Sequence, residues 1–152
     1  SNDYLQMYYR TDQLEHPVGT TTANTYGNWT AEFTVPLNLS IPSINSVEIR
    51  DSRGSTNTLS HRVPGATILV YPTPVNSGSS VVMYGSNFPS FASVRKITIG
   101  VGDIEITPVP YPSTDASGNF SSDLSLPSLP IGAHPVRVEV NNVSAVTTVI
   151  LK

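Results

Sequence analysis

The sequence contains no cysteine. That excludes a structural disulfide, a thiolate metal site and a cysteine nucleophile. Charge is scarce too: Asp, Glu, Lys and Arg make up 12% of the 152 residues, about half of the roughly 25% usual in soluble domains. Only eight residues are Lys or Arg, and the formal net charge is −3. Neutralising a phosphate backbone takes a basic patch, so nucleic acid is excluded as a partner. No polybasic segment serves an anionic membrane surface. No stretch approaches the roughly 18 apolar residues of a transmembrane helix. A sustained apolar period of 3.6 is missing as well, and thirteen prolines punctuate every region, so long helices are excluded. The chain opens Ser1-Asn2-Asp3 with neither an initiator Met nor an apolar signal core. The expectation is a removed leader or an excised fragment.

What fills the sequence is Ser, Thr, Asn and Pro around short alternating strands, and one stretch occurs twice. Asn24-Thr-Tyr-Gly-Asn-Trp-Thr-Ala-Glu-Phe-Thr-Val-Pro36 is repeated as Asp115-Ala-Ser-Gly-Asn-Phe-Ser-Ser-Asp-Leu-Ser-Leu-Pro127. Gly27 matches Gly118, Trp29 matches Phe120, and Phe33 to Pro36 matches Leu124 to Pro127. Each copy reads as a tight turn that feeds a strand ended by proline. The alternation of Trp29, Ala31, Phe33 and Val35 with polar residues predicts a half-buried strand, its aromatic in the core.

The match extends in both directions. Val47 and Ile49 fall on Val136 and Val138, Thr58 to Val63 on Thr147 to Leu151, and Tyr4 to Tyr9 on Lys96 to Ile99. Further strands are predicted at Ala66–Tyr71, Ser80–Tyr84, Val94–Ile99 and Asp103–Val109, whereas Thr11–Thr22 lacks a regular pattern. Nothing in the first copy corresponds to Ala66 through Ser93. The sequence therefore predicts an all-β chain of two tandem modules. Residues 1–64 form an incomplete module without its two opening strands, and residues 65–152 form a complete one of about seven strands.

Three stretches of the second module carry a family resemblance: Asn76-Ser-Gly-Ser-Ser-Val-Val-Met-Tyr-Gly-Ser-Asn-Phe88, Asp115-Ala-Ser-Gly-Asn-Phe120, and Pro127-Ser-Leu-Pro-Ile-Gly-Ala-His-Pro-Val136. The module resembles the Ig-like repeat domains of prokaryotic cell-surface proteins, including IPT/TIG-like and S-layer-associated types. The resemblance implies a β-sandwich and a role in spacing, adhesion or assembly at the cell surface.

No catalytic constellation stands out, and the expectation is a non-enzymatic protein without cofactor or metal. Asp103, Glu105, Asp115 and Asp123 do not follow a calcium-loop spacing, and Asp115 reads as an Asx-turn residue. His16, His61 and His134 are scattered without zinc spacing. No Gly-x-Ser-x-Gly elbow accompanies the many serines. Gly100-Val-Gly102 reads as a hairpin turn rather than a phosphate loop. An isopeptide cross-link would have to use Lys96 or Lys152, and Lys96 reads as solvated. Trp29 with Tyr4, Tyr8 and Tyr9 is a candidate sugar-stacking set, although the match of Trp29 to Phe120 places it in the core. Four sequons, at Asn28, Asn38, Asn119 and Asn142, permit glycosylation of an extracellular chain.

An incomplete module exposes core and strand edges, and such edges recruit other strands. Borrowing a strand from a neighbouring subunit is one remedy. Repeated head to tail, it builds a filament or surface layer. The expected donors are the N-terminal segment carrying Tyr4, Leu5, Met7, Tyr8 and Tyr9 or the last strand, Ala145 to Lys152, and the N-terminal segment is favoured because a terminus can be handed over without unthreading the chain. The alternative is an adhesive or carbohydrate-binding module of a larger surface protein, with surface glycans as partners.

Overall fold

The computed structural model describes residues 3–36 and 39–152, and the described residues form β-strands, turns and loops without an α-helix. The chain divides into two compact units, Ser1–Val63 and Pro64–Lys152.

The second unit holds seven strands: β5 (Thr67–Tyr71), β6 (Ser80–Ser86), β7 (Lys96–Ile99), β8 (Ile104–Glu105), β9 (Phe120–Ser125), β10 (Gly132–Val140) and β11 (Val143–Leu151). They form two sheets, β5-β6-β9 and β11-β10-β7-β8. Alternate residues of both sheets share one core, with Val70, Met83 and Leu124 from the first and Ile97, Val138 and Val149 from the second. This is an Ig-like sandwich. Because Met83 is fully buried, Met83→Ala is expected to lower the stability of this unit by about 2–5 kcal/mol in urea unfolding, through lost burial and a residual cavity. The outer edge of β11 is partly covered: Val75 pairs in parallel with Leu151, with its N–H donating to the Ile150 carbonyl at 2.9 Å and its carbonyl accepting from Lys152 N–H at 3.0 Å.

The first unit forms a single sheet in the order β2-β1-β3-β4, from β1 (Tyr4–Arg10), β2 (Glu15–Thr22), β3 (Ser43–Asp51) and β4 (Thr56–Val63). This order is that of β8-β7-β10-β11. The register agrees as well, since Met7 faces Ile49 and Tyr9 faces Val47 as Ile97 faces Val138 and Ile99 faces Val136. Strands equivalent to β5 and β6 are missing among its described residues.

Several expectations require correction. Thr11–Thr22 is more regular than its pattern indicates, because β2 is an edge strand and tolerates Pro17. The register of β1 against β2 shifts between Met7 and Tyr8, at a bulge. The alternation from Asp103 to Val109 yields only the two-residue β8. Most consequential, Trp29–Pro36 is not a strand. Its alternation survives in burial, since Ala31, Phe33 and Val35 are each less exposed than their neighbours Thr30, Glu32 and Thr34. The ladder is missing because the strand that β9 pairs with, β6, has no counterpart here.

Candidate functional site

The duplicated turn is built the same way in both units. The Asn24 side-chain oxygen accepts the N–H groups of Tyr26 and Asn28 at 2.9 and 3.0 Å, and Gly27 N–H donates to the Asn24 carbonyl at 3.0 Å. Asp115 accepts from Ser117 and Asn119 at 2.8 and 2.9 Å, with Gly118 N–H on its carbonyl at 3.1 Å. The turn at Asp51-Ser-Arg-Gly54, which the sequence shows as a turn but not as a third copy, closes the β3–β4 hairpin in the same way: Asp51 accepts from Arg53 and Ser55, and Gly54 N–H donates to its carbonyl. The signal was legible as a shared Asx-x-x-Gly spacing. Gly27, Gly54 and Gly118 all take φ between 76° and 87°, a region open to glycine and strained for other residues.

These turns give part of the protein an acid sensitivity. Backbone N–H donation, chiefly from Ser55 to Asp51 and from Asn119 to Asp115, holds both carboxyls below the usual carboxylate range. A depressed folded pKa contributes stability that is fully present above the unfolded value of about 3.9. That stability is lost as pH falls through the lower, folded value. Asn24 shows that an amide oxygen makes the same turn without titrating. The double variant Asp51→Asn/Asp115→Asn is therefore expected to lose stability less steeply than the parent between about pH 5 and pH 2, measured by urea unfolding. An unchanged slope would place the acid sensitivity in other groups.

Around this common turn the two units differ. Phe120, which follows Gly118, is 7% exposed and packs against Phe88 with ring centroids 5.5 Å apart. Trp29, which follows Gly27, is 39% exposed, correcting its expected place in the core. A Cβ on Gly118 would lie 2.0 Å from the Phe88 carbonyl oxygen, whereas a Cβ on Gly27 would meet nothing within 4 Å. No backbone–backbone hydrogen bond joins Trp29–Pro36 to other described residues. At the far side of the sheet β4 is an edge strand, and Leu59, opposite buried Val47, is 60% exposed. The result is an open side that runs along Gly27, Trp29 and the unpaired segment after it.

The other candidate residues are held in structural roles. Tyr4, Leu5, Met7, Tyr8 and Tyr9 lie in β1, a central strand with partners on both edges. Leu5 and Met7 belong to the core with Ala23 and Ile49. Tyr9 is fully buried, its hydroxyl 2.6 Å from His61 Nδ1, and burial pushes its phenol pKa up. Tyr8 lies under Arg50, 4.2 Å from ring centroid to guanidinium. Arg50 and Arg10 both pair with Glu15 and Glu48, a closed four-member ion network on the outer face. Lys96 pairs with Glu139 at 3.1 Å, and Asp103 with Arg137 at 2.6 Å. His134 Nε2 lies 2.8 Å from the Pro130 carbonyl oxygen. Among the described residues no three His, Asp or Glu side chains gather in a metal-binding group. Asn28, Asn119 and Asn142 are exposed, and Asn38 lies outside the described residues. No described helix is long and apolar enough to cross a membrane.

No protein-family model matches the chain. No curated protein matches it either. Among solved structures the chain is similar to invasin, a bacterial integrin-binding protein, at 14% identity and a TM-score of 0.35. The match covers 98% of this chain and 32% of invasin, so the chain spans about a third of that structure's length. Similarity at this level carries no functional argument.

Proposed function

We propose that the chain is a non-enzymatic structural protein of a prokaryotic cell surface, joined to its neighbours by strand complementation, with the first unit as acceptor. The observation that supports this reading is the segment Trp29–Pro36, which no backbone ladder joins among the described residues and whose Thr30 carbonyl accepts only the Thr21 hydroxyl at 3.0 Å, beside a Gly27 whose open face is filled at the equivalent Gly118. Unpaired backbone beside an apolar face recruits another strand, and backbone hydrogen bonds then supply affinity. Donation of Tyr4–Tyr9 is disfavoured. It would break two ladders and remove Leu5 and Met7 from the small core of the same unit. Donation of Ala145–Lys152 is disfavoured likewise, because it would strip β11 from β10 and take Ala145, Val149 and Leu151 out of the second core. Glycans on Asn28, Asn119 and Asn142 would project into solvent and fit an extracellular location.

Negative-stain microscopy and sedimentation of the native material test the assembly. Ordered filaments or layers with a repeat near the length of two Ig-like modules are the expected result. Dispersed monomers at high concentration would contradict it.

A second reading has one observation in its favour. Exposed Trp29 borders a shallow groove with Thr21, Thr22, Asn24, Asn28 and Thr30, an indole face with hydroxyl and amide neighbours of the kind that stacks on a sugar. Saturable quenching of Trp29 emission by a defined oligosaccharide would favour this adhesive role. Unchanged emission across a glycan panel would remove it.

A further inference from the structure

The second unit displays the strand that closes an open side of this shape. There β6 pairs antiparallel with β9, with Val81 facing Leu124, Met83 facing Ser122 and Gly85 facing Phe120. Val81, Met83 and Gly85 are all buried. Gly85 is obligatory, because a Cβ there would lie 2.0 Å from the Phe120 ring. Three residues on, Phe88 donates its N–H to the Gly118 carbonyl at 3.1 Å and packs against Phe120 at a tilt of 57°. In the first unit the matching receptor positions are Phe33, Ala31, Trp29 and Gly27. The indole of Trp29 is larger than a phenyl ring, so the need for a glycine opposite it is stricter.

We propose that the open side of the first unit binds a partner polypeptide strand of the pattern apolar-x-apolar-x-Gly-x-x-aromatic, its glycine facing Trp29 and its aromatic residue seated at Gly27. The proposal rests on the strand-complementation reading above and gives it a partner chemistry. Within this sequence the pattern occurs once, as Val81-x-Met83-x-Gly85-x-x-Phe88, and that copy is held in the core of the second unit. The segment Leu5-x-Met7-x-Tyr9 begins the same way but carries tyrosine where the glycine must stand. A strand of that kind would drive a phenol ring into Trp29. A second copy of this chain therefore offers no free strand that fits, and the occupant comes from another polypeptide segment.

Trp29 is the sole tryptophan, so its fluorescence reports on this site alone. The probe is a synthetic peptide copying residues 79–90, titrated into the 152-residue protein. Saturable binding with a blue shift of Trp29 emission is expected. A peptide carrying Gly85→Val should not bind, and the protein variant Gly27→Ala should bind the original peptide at least roughly tenfold more weakly. An unchanged circular dichroism spectrum shows that the variant is folded. No shift with the original peptide, or equal binding by both peptides or both proteins, overturns the proposal. A blue shift that rises with protein concentration alone also overturns it, by showing a second copy to be the occupant. Native material that assembles while the peptide fails to bind leaves the assembly reading standing. Peptide binding without assembly does the reverse.

Discussion

Gly118→Ala is expected to be one of the most damaging single substitutions in the second unit, and Gly27→Ala one of the milder glycine substitutions in the first. Both residues hold nearly the same backbone angle, φ 76° and 81°, so both variants incur the left-handed strain of about 1–2 kcal/mol. Only at Gly118 does the new methyl group also collide, 2.0 Å from the Phe88 carbonyl oxygen. That oxygen is backbone and cannot rotate aside. Relief requires Phe88 to leave its hydrogen bond with Gly118 and its contact with Phe120. The cost is of the order of 3 kcal/mol or more in addition to the strain. Urea unfolding of the two variants should therefore separate them clearly. Equal losses would mean that the two turns are equally enclosed.

A second large effect is expected in the unfolding of the parent protein. Among its described residues the first unit clusters Leu5, Met7, Ala23 and Ile49, with Val18 and Ala31 packed against them. The core of the second draws on every strand except β8. A unit of about 60 residues is marginal even when its core is complete, and the described residues of this one form a single sheet. It should unfold at lower urea than the second unit, in a separate step by circular dichroism. Because the two transitions belong to different units, Met83→Ala should move only the later one. One coincident transition, with Met83→Ala shifting all of it, would contradict independent units of unequal stability.

Much of this was legible in the sequence because the duplication works as a ruler. Matching Val47 and Ile49 to Val136 and Val138 places β3 on β10, and the strand orders of the two units then agree. The missing counterpart of Ala66 to Ser93 is the missing β5–β6 pair. The alternation of Trp29 to Val35 misled for a related reason. Periodicity records which face a segment would bury, whereas a ladder requires a neighbour, and the neighbour of β9 lies forty residues earlier in the second unit. Trp29 resembles a core aromatic because its match, Phe120, is one. Its exposure follows from what the first unit lacks, which no local pattern reveals. The irregular reading of Thr11–Thr22 did not include β2, whose Pro17 and Gly19 conceal an edge strand that pairs with β1. The third Asx turn at Asp51 was visible in spacing, but its counterpart in the second unit is the shorter Asn141-Asn142 turn between β10 and β11, so the duplication did not mark it.

Backbone amide hydrogen exchange tests the central claim, that one module is open where its twin is closed. In the protein alone, the amides of Thr30 to Val35 should exchange within about tenfold of unstructured rates, while those of Ser122 and Leu124, which face β6 across the β9 edge, should be protected by roughly a thousandfold or more. Comparable protection of the two segments would show that the first unit already holds the strand it is argued to lack, and would contradict the account.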